Sequence, residues 1–294
     1  MTIDCAVPAE ALLGECPLWS PTEQVVYWID IDGRRIHRFD PRTGVDDRRE
    51  TAGRPGSLAL TDTPGVLLLA MEHELGWFSW EEGSFSPWLQ LEPPATGNRL
   101  NDGRCDRNER FWVGSMWEAT VDNKFTGVLH SVAPSGTATT VRRDVGVSNG
   151  LAFSPEGTTM YFADTLYDTI WAYDYDPATG DATNERVFSD FAGLPGRPDG
   201  ACVDVDGGYW IACVHGGAVA RLTPHGDIDR IIEVPTARPT MPAFGGPGLD
   251  VLYVTSIGAG GSRPATDLHP WDGGLLALDV GVSGLAETPF AGTP

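Results

Sequence analysis

Basic residues are scarce in this chain: 20 Lys and Arg face 41 Asp and Glu over 294 residues, a formal charge of −21 at pH 7. Nucleic acids need a basic patch to meet their phosphates, and anionic membrane surfaces attract basic segments, so this balance excludes both partner classes. The acidity itself serves solubility and leaves some carboxylates available to a cation. No run of 18 apolar residues occurs, and the opening stretch MTIDCAVPAEALLGE carries acids where a secretory leader carries Lys or Arg. The expectation is a cytoplasmic protein. Cysteine is also sparse. Cys5, Cys16, Cys105, Cys202 and Cys213 are odd in number and form no CxxC pair, which argues against a disulfide framework and against a thiolate zinc site. Cys202 and Cys213 flank a turn where they could face each other, but buried free thiols are the expectation. Helical periodicity is almost absent, and the chain has no GxSxG elbow, no HExxH, no GxGxxG opening a helix and no P-loop.

What is present is repetition. Four segments carry a polar residue followed five places later by Ser or Asp and then by an aromatic pair: ECPLWS from Glu15 with Tyr27-Trp28, NDGRCD from Asn101 with Phe111-Trp112, NGLAFS from Asn149 with Tyr161-Phe162, and DGACVD from Asp199 with Tyr209-Trp210. Two fainter copies, SLALTD from Ser57 and PAFGGP from Pro242, complete a set of six. A period of about 40 to 50 residues signals a propeller or solenoid. Within each repeat, short alternating apolar runs such as VVYWIDI, RFWVGSM and YWIACV lie between Gly, Pro, Asn and Asp, the pattern of strands and turns. Each unit therefore reads as a four-stranded antiparallel blade. The predicted fold is all-β, a six-bladed β-propeller formed as one domain over residues 1–294, with the segment before Glu15 supplying the outer strand of the last blade.

In such a meander the starts of the inner strands and the loops between second and third strands share one mouth. Two of those loops are long, Trp117 to Gly127 and Gly258 to Gly274, and the second is Gly-rich enough to act as a lid. Glu15, Asn101, Asn149 and Asp199 are expected to converge on the axis. Asn-Gly and Asp-Gly are also ordinary turn formers; their recurrence at one blade position favours a site. Carboxylate and amide oxygens gathered without thiolate suit one divalent metal ion, with Glu15, Asn149 and Asp199 as ligands, and the set does not distinguish Ca, Mg, Mn, Zn or Fe.

GECPLW, NRLNDGRCD, SNGLAFSPEG with YFADT, PDGACVDVDGGYWIAC and FGGPGLDVLYVTS, in that order, resemble the successive signatures of the SMP-30/gluconolactonase/luciferin-regenerating enzyme family over nearly the whole chain. The resemblance implies a propeller with one axial divalent metal held by Glu15, Asn149 and Asp199, and sugar hydroxyls contacted by Arg99 and Asn101. Some members place a substrate-contacting acid after a GTM-like strand end; here GSM is followed by Trp117 and Glu118, so Glu118 is the residue that would do that job. His215 is a second departure, on the mouth side. The implied activity is metal-dependent opening of a sugar lactone to the aldonic acid, with the metal polarising the carbonyl and Asp199 as general base. No obligatory protein partner is evident. Two alternatives use the same scaffold: another metal-dependent ester or organophosphate hydrolase, and a non-catalytic calcium-binding propeller. Trp117 and Trp271 are the tryptophans best placed to line a sugar pocket.

Overall fold

The Ser or Asp that ends each of the four clear repeat signatures shows how the sequence makes a blade. Asp106 and Asp204 accept backbone N–H groups of the next hairpin, from Asn108 and Arg110 and from Asp206 and Gly208 respectively. Each also takes the indole N–H of the aromatic pair that follows, Trp112 at 3.3 Å and Trp210 at 2.7 Å. Ser154 does the same with its hydroxyl toward Thr158 and Thr159, and Ser20 toward Glu23. A side-chain acceptor that closes the turn while its neighbours pair as strands is sufficient to fix a hairpin at that point.

The computed structural model describes residues 2–119, 122–260 and 268–294. Among them, twenty-four strands form six four-stranded antiparallel sheets arranged as a ring, with no α-helix. Five sheets are simple meanders. The inner strands are Gly14–Ser20, Ser57–Leu60, Asn98–Cys105, Ser148–Phe153, Arg197–Val203 and Pro239–Gly245. In the sixth sheet the outermost strand is Ile3–Val7, paired with Leu275–Asp279, so the N-terminal segment closes the ring as expected. Six apolar clusters fill the wedges between consecutive blades; Trp28 and Tyr253 belong to the wedge joining blades six and one, Trp112 and Phe162 to that joining three and four. All five cysteines are free, and Cys202 and Cys213 pair with Trp210 and Pro198 rather than with each other.

The inner strands carry β-bulges, and these refine the register of the repeat. Glu15 and Asn149 are the last paired residues before their bulges, opposite Ile29 and Ala163. Asn101 and Asp199 sit inside theirs, one place further on, after Leu100 and Pro198. A bulge re-aims one side chain without moving the strand, which lets residues in two register classes face the same axis. In blade six the bulge follows Pro239, so the counterpart of Asp199 is Thr240 and not Pro242, which pairs with Val254 beyond the bulge. Two prolines in one inner strand had obscured the pattern. Blade two has an unbroken ladder from Ser57 to Leu60.

Candidate active site at the axial mouth

A cavity of about 320 Å³ opens at the mouth and is lined by residues from four of the six inner strands and by Arg238, just ahead of a fifth. Its floor carries Glu15, Asn101, Asn149 and Asp199; Arg99 stands on the wall, and Leu13, Ile31, Val147 and Ile257 give it apolar sides. Ile31, Leu166 and His215 come from the loops between second and third strands, so the predicted sharing of one mouth holds. At the opposite end the axis is filled: Arg104 pairs with Glu287 and donates to the Ala201 carbonyl at 2.7 Å, while Phe290 is tied to Leu60.

Two aspartates hold the strands that present Glu15 and Asn149. Asp30, at the end of the second strand of blade one, accepts the N–H groups of Leu12 (3.1 Å), Leu13 (3.0 Å) and Gly33 (2.9 Å). Asp164, at the same place in blade four, accepts those of Gly146 (2.7 Å), Val147 (3.0 Å) and Leu166 (2.9 Å). Each clamp grips the chain two residues before the axial side chain. Both carboxylates are buried.

The amide of Asn149 is oriented by its neighbours. Its Nδ2 donates to Thr165 Oγ1 at 2.8 Å, and that hydroxyl in turn donates to the Pro198 carbonyl at 2.8 Å. Thr165 must therefore accept from the amide nitrogen, which turns Asn149 Oδ1 toward the axis, 3.4 Å from Asn101 Nδ2. Asn101 is engaged at both ends: Nδ2 donates to the Ser148 carbonyl at 2.9 Å and Oδ1 accepts from Arg99 Nη1 at 2.7 Å. It ties blade three to blade four and steadies Arg99.

Burial raises the Asp199 carboxyl well above its ordinary value, reinforced by Glu15 and Asp102; burial and then Asp102 raise Glu15. Asp102, one residue beyond Asn101 and away from the mouth, is pushed up to about 6 by burial, and its Oδ1 has no hydrogen-bond partner. Arg99 is lowered to about 10, first by desolvation and then by Arg54. Buried acids that raise one another, together with an amide oxygen aimed at the same axis, fit a hard divalent cation, whose charge would relieve the repulsion. Among the described residues no group of three His, Cys, Asp or Glu forms a metal cluster; here the third donor is the Asn149 amide. Cys16, beside Glu15, is engaged with Leu58 and offers no thiolate.

Five of the six expected site residues line the cavity. The sixth, Glu118, is at the rim, half exposed, with Oε1 2.5 Å from Arg54 Nη2. It lies outside the cavity because Arg54, which also meets Asp32 and Glu72, draws it to the mouth's edge. Trp117 donates its indole N–H to Asp122 and lies under Lys124, and Trp271 packs against the wedge between blades five and six, so neither tryptophan lines the cavity. Part of each long mouth loop, residues 120–121 and 261–267, lies outside the described residues, so the expected lid at Gly258 to Gly274 is described only at its ends. No helix among the described residues is long and apolar enough to cross a membrane.

The sequence reading missed Asp102, Thr165, Arg197 and Arg238. For the two arginines a signal existed: Arg197-Pro-Asp199 and Arg238-Pro-Thr240 repeat the Arg-x-polar spacing of Arg99-Leu-Asn101.

The fold and site define a six-bladed propeller with a polar, acid-bearing cavity on its axis. Residues 13–258 match the SMP-30/gluconolactonase/LRE-like region, and the chain belongs to that family. It is 39% identical to a 6-deoxy-6-sulfogluconolactonase of Pseudomonas putida, over 99% of both chains. It is 35% identical to an L-arabinolactonase of Azospirillum brasilense, over 96% of this chain and 93% of that one. A solved structure described as a calcium-binding protein, regucalcin, from Agrobacterium tumefaciens superposes with a TM-score of 0.89 at 30% identity, covering 97% of this chain and 96% of that one.

Proposed function

We propose that this chain is a metal-dependent sugar lactonase that opens an aldonolactone to the aldonic acid. The observation that carries the reading is the convergence of Glu15, Asn149 and Asp199, from blades one, four and five, on the floor of a cavity whose volume of about 320 Å³ is at the small end of the roughly 300–1,000 Å³ usual for small-molecule sites. The family's lactonase members support it.

Glu15, Asn149 Oδ1 and Asp199 would hold the divalent cation, which when bound supplies Lewis-acid polarisation of the lactone carbonyl and a counter-charge for the oxygen that becomes negative. The remaining work falls to the chain's own residues. Asp199, ionised, takes a proton from the water whose oxygen bonds to the carbonyl carbon. As the ring C–O bond breaks, the departing alkoxide oxygen collects that proton from Asp199, which returns the carboxylate to its starting state. Arg99, steadied by Asn101, donates to substrate oxygens. Leu13, Ile31, Val147 and Ile257 keep bulk water from the wall.

Acid release from gluconolactone, arabinonolactone and xylonolactone measures the activity. The metal-loaded protein is expected to exceed the spontaneous rate, while EDTA treatment or Asp199→Asn abolishes the excess. A metal-loaded protein that adds nothing to the spontaneous rate on any of these lactones would refute the reading.

A further inference from the structure

The chain that crosses from blade one to blade two carries a fourth copy of the start Arg-x-polar. Arg54-Pro55-Gly56 stands where blade five has Arg197-Pro198-Asp199 and blade six has Arg238-Pro239-Thr240. The hairpin closure agrees with this register: Thr61, five places after Gly56, accepts the N–H of Thr63, as Asp204, five places after Asp199, accepts that of Asp206. In blade two the floor position is therefore a glycine. A Cβ on Gly56 would lie 2.5 Å from the Leu100 carbonyl oxygen, so the inner strand of blade three fills the place a side chain would take. Blade two adds no residue to the lining of the cavity, and its arginine has other partners.

Those partners are acids from three successive mouth loops. Arg54 meets Asp32 of blade one at 3.9 Å, Glu72 of blade two at 3.5 Å and Glu118 of blade three at 2.5 Å, each on the loop between second and third strands. Among the described residues none of the three acids makes another ion pair. The crossover is seated tightly for this. A Cβ on Gly53 would sit 2.3 Å from Glu72 Oε2, and the Leu100 N–H donates to the Glu72 carbonyl at 2.8 Å, which sets the loop of blade two against the strand that carries Arg99.

Arg99 feels two of the same acids. It is 8% exposed, and its Nη1 donates to Leu100 O at 3.1 Å and to Asn101 Oδ1 at 2.7 Å. Burial and then Arg54 disfavour its charge, while Asp32, Glu15 and Glu118 favour it. Two arginines thus compete for the rim acids Asp32 and Glu118, and Arg54, which meets both, holds them. A guanidinium has five donors, and a carboxylate arriving from the rim would take those that Arg99 does not commit to the floor. The plainer role for Arg54 is to tie three loops together. Ion pairs at a partly exposed rim add little stability, and that role alone would leave substrate affinity where it is.

We infer that Arg54 is a positioning residue for lactone binding: it keeps Asp32 and Glu118 at the rim, so that Arg99 stays docked on Asn101 with its remaining donors left to substrate oxygens. This rests on the lactonase reading, in which Arg99 donates to substrate, and adds to it a residue outside the cavity. Without Arg54, the released acids pair with Arg99, occupy its donors and draw it from the floor toward the rim.

The test measures kcat and KM of the metal-loaded protein on gluconolactone. Arg54→Gln is expected to raise KM about tenfold, the scale of one charge-assisted hydrogen bond, with kcat little changed because Asp199 and the proposed cation ligands are untouched. Arg54→Lys, which keeps a cation beside the acids, should recover most of the affinity. The Arg54→Gln, Asp32→Asn double variant removes a released acid as well and should bring KM back down from its value in the single variant. Calcium affinity of Arg54→Gln, by titration calorimetry, should match that of the unaltered protein. An unmoved KM in Arg54→Gln, a KM equally high in the single and double variants, or a loss of calcium affinity in Arg54→Gln overturns the inference and leaves the lactonase reading standing. Failure of the unaltered protein to exceed the spontaneous rate overturns both.

Discussion

The two aspartate clamps make a demanding prediction because their carboxylates do not line the cavity. Asp164 accepts three backbone N–H groups, and two of them belong to Gly146 and Val147, immediately before the strand that carries Asn149. Asp164→Asn keeps the shape but replaces one accepting oxygen with an NH₂ that faces an N–H. Orphaning one buried donor costs about 1–3 kcal/mol and weakening a bond to a charged acceptor a comparable amount, so a stability loss of roughly 2–4 kcal/mol is expected in urea unfolding. If the clamp positions Asn149, cation affinity should fall as well, by about 10- to 100-fold, the range found when the supports of metal ligands are removed. Calcium titration calorimetry on the folded variant measures this directly. Asp204→Asn is the control. Asp204 is an equally buried acceptor, but it closes the hairpin at the far end of its blade, bonding Asp206, Gly208 and Trp210. It should lose stability and keep its calcium affinity. If Asp164→Asn also binds calcium like the unaltered protein while losing stability, the clamp only holds the fold together and the positioning argument is wrong.

Two further predictions concern the unloaded site and the backbone beside it. Burial raises Glu15, Asp199 and Asp102, the last to about 6, above an unfolded carboxyl near 4. Acids raised on folding contribute stability that is present below the unfolded pKa and lost as pH climbs through the folded one. In EDTA the thermal midpoint should therefore fall from pH 4 to beyond 6, and the Glu15→Gln, Asp199→Asn double variant should show a shallower fall; equal slopes in the two proteins would count against a shared buried charge. Gly150, next to Asn149, has φ +62°, and an added Cβ would sit 2.6 Å from Ala163 Cβ and from the Tyr209 hydroxyl. Gly150→Ala should cost about 2–4 kcal/mol in urea, against about 1 kcal/mol for Gly44→Ala, where φ is +73° and the surroundings are open. Equal losses would mean that strain alone decides.

The ring was legible because its cause is local. A Ser or Asp that closes a hairpin and an aromatic pair that follows are short-range features, and they recur wherever a blade's first two strands must turn, at Ser20, Asp106, Ser154 and Asp204. The axial residues were legible for the same reason, since each opens such a unit. What stayed hidden depends on geometry that the spacing of residues does not carry. Aromatic pairs follow Glu15 and Asn149 by 12 residues but Asn101 and Asp199 by 10. Those spacings reflect where the aromatic pair sits on the ladder, Tyr27 opposite Leu18 but Phe111 opposite Cys105, and do not reveal which polar residue is paired and which lies in the bulge. Glu118 fell outside the cavity because its placement is set by Arg54, a partner 64 residues away.

The two register classes also divide the labour of the site. Blades one and four bring a proposed cation ligand to the last paired position and lock the chain two residues before it with an aspartate 15 residues on, Glu15 with Asp30 and Asn149 with Asp164. Blades three, five and six move the polar side chain into the bulge and place an arginine two residues before it. The first arrangement holds an oxygen donor rigidly at the axis. The second couples the floor to a cationic wall, and Asp199 is the residue that belongs to both, a floor acid on an arginine-bearing strand. Exchanging Glu15 or Asn149 should therefore alter cation affinity, and exchanging Arg99 or Asn101 substrate affinity. Only changes at Asp199 should disturb both together.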